Sequence, residues 1–285
     1  RVDLLVCPGG SPDIVHLSGS IPAGSAADQA MASLVVEMIQ RGSTKHDAGE
    51  IGSLLDEAGI TLEFAAEGGY VHFQGSCLSN RLALLLSLLA EQLRQPAFPE
   101  DELKSIRSQL ISEARLNRND PQKLAALALN RAIHPSGHPD RLPDADETIA
   151  QLGKISRKDL IDFHQLWFGP AAAVLVLGGD LKPSTCQAEI ERCFGGWAGG
   201  KMAPEPMAHA GNGSVGKIVL PVEGKESVTV LLGMPCDVRY PQQDALAISL
   251  ATAALGDGFT SRLLNTIRDT DGLTYDISST YSNPD

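Results

Sequence analysis

Gly59-Ile60-Thr61-Leu62-Glu63-Phe64 returns 213 residues later as Gly272-Leu273-Thr274-Tyr275-Asp276-Ile277. Each stretch opens on a glycine that ends a helix-period segment and continues with the apolar-polar alternation of a strand. The same offset lays Pro8, Val15 and Pro22 on Pro221, Val228 and Pro235, with no gap between the blocks. Two prolines could align by chance; apolar positions matched without a gap across about seventy residues are much harder to dismiss and point to a repeated unit. Each copy reads strand, turn, strand, loop, helix, glycine, helix, glycine, strand.

Working outward through the first copy, residues 2–6 and 13–21 are strand-like around Gly9-Gly10. Ser25-x-x-Asp28 has the form of a capping box and predicts a helix with Ala27, Ala30, Met31, Leu34, Val35 and Met38 at helical spacing, ending at Gly42. A second helix is expected over Asp47–Ala58. Strands follow over 61–66 and 69–75, then helices over 79–94, 100–118, 121–133, 146–151 and 156–167. Strand 171–177 and helix 184–194 complete the unit. Gly195–Gly213 is rich in Gly, Pro and Ala without apolar period and marks a linker. The expected organisation is a first α+β domain over 1–200, a linker over 201–214, and a second homologous domain over 215–285 that stops at the counterpart of His72. The chain is accordingly expected to be a fragment, with the apolar helix 241–256 poorly covered.

Composition narrows the function. Hydrophobic residues make up 43% of the chain, enough for a substantial core. The formal charge of −12 disfavours a nucleic-acid or anionic-membrane partner. The apolar run Leu82–Ala90 is about half the length a membrane-spanning helix needs. Cys7, Cys77, Cys186, Cys193 and Cys236 form no C-x-x-C and are odd in number, so buried free thiols are expected rather than a disulfide framework or a cysteine zinc knuckle. Neither G-x-S-x-G nor a dinucleotide fingerprint is present, and no Lys-Ser/Thr follows Gly256-Asp257-Gly258 as in a phosphate-cradling loop.

Several segments resemble the pitrilysin/insulinase family of zinc metallopeptidases. They are Met38-Ile39-Gln40-Arg41-Gly42-Ser43-Thr44 followed by Glu50-Ile51, Glu91-Gln92-Leu93-Arg94-Gln95-Pro96-Ala97-Phe98, and Val174–Leu177 running into Gly178-Gly179-Asp180. The most specific is Ser261-Arg262-Leu263-Leu264 with Arg268-Asp269-x-x-Gly272-Leu273-x-Tyr275. The resemblance covers essentially the whole chain and is closer to the non-metal half of long bacterial members. It implies tandem α/β sandwich domains of the mitochondrial-processing-peptidase/insulinase type, the second truncated, and a clamshell partner in the same or another chain. It favours a periplasmic location and leaves a cytoplasmic one open.

The departures from the family pattern bear directly on chemistry. Active halves carry H-x-x-E-H on the first helix; here the matching positions are Ser33, Val36 and Glu37, and only Glu113 matches the third, carboxylate ligand. One carboxylate without imidazoles does not make a catalytic zinc site, so no metal is expected in this chain and zinc is assigned to the partner half. Glu113 is expected half-buried, as a relic ligand or paired with Arg107. Glu37 is expected on the inward stripe beside a neighbouring cation. The resemblance makes Arg268 and Tyr275 the oxyanion and substrate-binding pair, acting in trans on a peptide; the plain alternative is a helix-terminal Arg and a strand-face Tyr. His134 and His138 are expected in a solvated loop. Strand Thr61–Ala66 serves either as an exosite that pairs with extended peptide or as a simple sheet edge. Two functions remain: the non-catalytic half of a metalloendopeptidase, or a catalytically dead scaffold subunit of the same fold.

Overall fold

A computed structural model describes residues 2–138, 140–202, 216–224, 226–236, 238 and 242–281. The chain divides into two compact units, one running to Gly233 and one from Met234. The expected linker falls almost wholly on residues 203–215, outside the described residues.

The first unit is a five-stranded sheet with helices on one face. Its strands are β1 (Asp3–Pro8), β2 (Ile14–Pro22), β3 (Thr61–Glu67), β4 (Tyr70–Leu78) and β5 (Val174–Gly179), in the order β1-β5-β2-β4-β3. Only β1 and β5 run parallel. The helices are α1 (Gln29–Ile39), α2 (Ala48–Ala58), α3 (Leu82–Arg94), α4 (Glu100–Asn117), α5 (Pro121–Ile133), α6 (Ala145–Leu152), α7 (Arg157–Trp167) and α8 (Pro183–Phe194). Alternation decides which sheet face is covered: Val15, Leu17, Val71, Phe73, Leu175 and Leu177 point into the core, whereas His16, Ser18, His72 and Gln74 face out. Gly19 lies where the Phe73 ring crosses β2, and a Cβ there would sit 2.4 Å from that ring. Leu85, Leu86 and Leu89 of α3 are fully buried against the sheet, each contributing about 1.5–3 kcal/mol by transfer from water.

Local signals behave as the sequence predicts in most places. Asp28 accepts from Ser25 N and Oγ at 2.9 and 3.0 Å, and Asp47 caps α2 in a reciprocal box with Glu50. Gly59 ends α2 at φ +61°. The thiols of Cys77, Cys186 and Cys193 are buried, and burial pushes Cys77 up to about 11. Cys7, by contrast, is exposed. No helix among the described residues is long and apolar enough to cross a membrane.

Among the described residues after Val215, helices occur where the 213-residue offset expects them, and the expected strands do not. Shifted by 213, α1 falls on 242–252, and α9 spans Gln243–Gly256; α2 falls on 261–271, and a helical segment with π-type winding occupies Leu264–Thr270. Gly272 matches Gly59 in conformation as well as position, at φ +65°. Residues 216–224, 226–236 and 273–281 form no strand, against expectation. The reason lies in the ladders of the first unit, every one of which includes β4 or β5. Their counterparts at offset 213 would be residues 283–291 and 387–392, so the described residues include no strand that could complete such a ladder. Helices close their hydrogen bonds internally and form regardless. On α9, Leu246 and Leu250 are more than 60% exposed, although the helix is apolar all round.

Candidate functional site

The first helix tests whether zinc could sit where the sequence pattern would place it. Val36 is buried and offers no donor atom. Gln29 Nε2 donates to Ser33 Oγ at 3.1 Å and to the Ala66 carbonyl at 2.7 Å, so the serine is part of a tie between α1 and β3. Glu37 is half-exposed rather than fully inward and meets Arg41, one turn on, at 3.8 Å. Glu113 corrects its expectation: it is exposed on α4, and Arg107 donates instead to the Ile155 carbonyl. Ala114 is the buried residue there, and Glu113 precedes it by about 100° around the helix. A hydrogen-bonded serine, a valine and two separated carboxylates do not fit zinc.

Arg268 and Tyr275 both lie in the second unit. Arg268 sits in the π-wound segment, its Nε 2.8 Å from Asp269 Oδ1 and its guanidinium 5.9 Å from the Phe259 ring centre. The Gly272 turn separates it from Tyr275, which is 97% exposed and makes no side-chain hydrogen bond among the described residues. The structure therefore presents both donors without joining them. What they can offer is a cation held in place and a solvent-facing phenol, suited to an oxygen on which negative charge develops.

Two polar clusters were missed or misread in the sequence. Glu91, buried on α3, receives the Ser43 hydroxyl and lies 2.8 Å from His46 Nδ1 on the same oxygen. Ser43 Oγ also accepts from Lys45 N and His46 N at 2.9 and 3.0 Å, which locks the turn between α1 and α2 onto α3. Both Ser43 and Glu91 stand in quoted family-like segments, but nothing local pairs them. The second cluster is His134, His138 and Asp140, whose donor atoms all lie within 4.8 Å of one another. Here the expectation of a solvated loop is corrected: His138 is only 5% exposed, and its ring stacks on His134 with centroids 4.6 Å apart.

A cavity of about 400 Å³ lined by Arg94, Phe98, Arg157, His164, Phe168 and Trp197 coincides with none of these residues. Arg157 spends its Nε and Nη2 on the carbonyls of Phe98 and Ala97. His164 Nε2 donates to the Leu93 carbonyl at 2.9 Å, and burial holds its imidazole below the usual histidine range.

Comparison with known proteins adds the following. Residues 13–137 match the family model described as Insulinase (Peptidase family M16), and residues 154–285 match Peptidase M16 inactive domain. Among curated proteins, a non-peptidase homolog from Helicobacter pylori is 24% identical over 260 residues, covering 89% of this chain and 59% of the relative. An uncharacterized zinc protease from Mycobacterium leprae is 24% identical over 256 residues, covering 87% and 56%. The chain thus spans somewhat over half the length of these relatives. Among solved structures, a peptidase M16 inactive domain from Pseudomonas fluorescens aligns with TM-score 0.77 at 23% identity, covering 99% of this chain and 69% of that one. The first half of the periplasmic protease PqqL from Escherichia coli aligns with TM-score 0.60 at 17% identity, covering 72% and 46%. These structural likenesses show the fold.

Proposed function

We propose a role for a chain that belongs to the insulinase (M16) peptidase family: it is the non-catalytic half of a zinc-dependent metalloendopeptidase, completing the substrate chamber around a zinc site held by another half or subunit. The observation that carries the first part is α1, where Ser33 is tied to Gln29, Val36 is buried and Glu37 meets Arg41. No metal-activated water can be generated on that face.

The second part concerns Arg268 and Tyr275. Attack on a peptide carbonyl concentrates negative charge on one oxygen, and a fixed guanidinium and a phenol O–H stabilise it as it forms. The guanidinium contributes more, because its hydrogen bond is charge-assisted. Support comes from the Arg268-to-Tyr275 motif and from the exposure of Tyr275, whose hydroxyl no described residue engages. The test combines this half with a zinc-bearing homologous half and compares peptide turnover for wild type, Arg268→Ala and Tyr275→Phe.

A second reading, a catalytically dead scaffold subunit, draws on the absent metal ligands and on the Helicobacter pylori relative described as a non-peptidase homolog. It expects both variants to retain every function of the assembly, since a scaffold has no use for an oxyanion donor.

A further inference from the structure

We propose that His134, His138 and Asp140 form a divalent-metal site of the zinc class, which pins the connection between α5 and α6. The two imidazoles and one carboxylate come from a seven-residue segment, and their donor atoms lie within 4.8 Å of one another. The two-nitrogen, one-oxygen set is borderline-soft and suits Zn²⁺ or Co²⁺, with a fourth position for water.

The loop is held in place by contacts independent of any ion. Asn130 Nδ2 donates to the Asp140 carbonyl at 3.0 Å, while its Oδ1 accepts from Leu142 N at 2.9 Å. Arg141 Nη1 donates to the carbonyls of His134 and Arg131 at 2.9 and 3.3 Å. Such fixation removes much of the ordering cost of binding.

The donor atoms lie close enough to converge on one ion after side-chain adjustment. His138 Nδ1 accepts from Asp140 N at 3.1 Å and lies 3.8 Å from Asp140 Oδ2. His134 Nδ1 accepts from Asn130 Nδ2 at 3.1 Å, and an ion held at either Nδ1 would exchange that N–H contact for a metal bond. Bonds of about 2.0–2.2 Å set donors about 3.3 Å apart in a tetrahedral site. The half-exposed Asp140 can close that gap by side-chain rotation and leaves a path for entry. Arg131 is neutralised by Asp144 and Glu147.

None of its three residues belongs to α1 or to the Arg268–Tyr275 segment, so its fate is independent of the function proposed above. The test titrates the metal-free 285-residue chain with Co²⁺, following visible d–d absorption and thermal midpoint, with Zn²⁺ as competitor. One ion per chain is expected, with a raised midpoint. Loss of a hydrogen-bond partner to a metal ligand already weakens binding about 10–100-fold, so Asp140→Asn should weaken it at least about tenfold. His138→Ala should abolish the spectrum. Because His138 is buried, the exposed Asp140 variant keeps the test valid if the former misfolds. No uptake, unchanged affinity in a folded Asp140→Asn, or loss of the ion on Glu37→Gln would overturn the proposal.

Discussion

Gly59 and Gly272, 213 residues apart, hold the same left-handed conformation, φ +61° and +65°. At each the chain leaves a helix and turns toward a segment with strand alternation. A Cβ at Gly59 would meet nothing within 4 Å, so the requirement there is conformational and not steric crowding. Gly59→Ala should therefore destabilise the first unit by about 1–2 kcal/mol, the cost of placing an L-residue in that region. Gly52, inside α2 with equally open space around it, provides the control. Gly52→Ala should stabilise by about 0.4–1 kcal/mol. Urea melts would read both; equal signs for the two variants would contradict the assignment of Gly59 to a left-handed cap.

The Ser43–Glu91–His46 cluster predicts asymmetric losses. Glu91→Ala removes the acceptor of both other groups and leaves the Ser43 hydroxyl buried without its carboxylate. A loss of about 3 kcal/mol is expected. His46 is partly exposed, and His46→Ala leaves Glu91 with its serine donor, so a loss of about 1 kcal/mol is expected. Denaturant midpoints of the two variants check the order; a His46 change costing as much as the Glu91 change would contradict it.

What the sequence made legible follows from locality. Periodicity and caps located the helices closely: 79–94 was expected and α3 spans Leu82–Arg94. Strand 13–21 was expected and β2 spans Ile14–Pro22. The last strand was displaced, expected over 171–177 and found at Val174–Gly179, because the apolar Ala171–Ala173 mimics a strand start while the register with β1 begins at Val174. Sheet order was not legible, since β5 enters between β1 and β2 from more than 150 residues away. The same limit hid Glu91 from Ser43 and His46. At the candidate site, chemistry at α1 could be read from residue types alone. The burial of His138 and its approach to Asp140 could not, because they depend on how the α5–α6 loop folds back on Asn130.

His164 sets a pH dependence whose sign is fixed. Its imidazole is neutral in the fold, buried between Phe98 and Phe168 while donating to Leu93, and its folded pKa lies below the reference value of 6.5. The unfolded chain therefore binds the proton more readily. The stabilising contribution is fully present above about pH 6.5 and is lost as pH falls through the depressed folded value. His164→Gln keeps an N–H for the Leu93 carbonyl and does not titrate. Its stability should fall less than that of wild type between about pH 7 and pH 5, as read from thermal or urea melts. Parallel profiles for the two proteins would remove His164 as a contributor.

The oxyanion reading makes the most specific demand. Arg268 and Tyr275 are to interact with the substrate oxygen more strongly as charge develops, so their loss should lower kcat with little change in KM once the zinc-bearing half is supplied. Arg268→Ala should cost about 3–4 kcal/mol in transition-state stabilisation and Tyr275→Phe about 1–3, since a charged donor outweighs a neutral one. Arg268 also contacts Asp269 and the Phe259 ring, so its removal can disturb the π-wound segment itself. Tyr275 has no such structural bond, and its hydroxyl can be deleted without releasing any described partner. Tyr275→Phe is therefore the cleaner probe, with circular dichroism checking the fold of both variants. A rise in KM alone would reassign the pair to ground-state peptide binding. Wild-type turnover in both folded variants would leave the scaffold reading in its place.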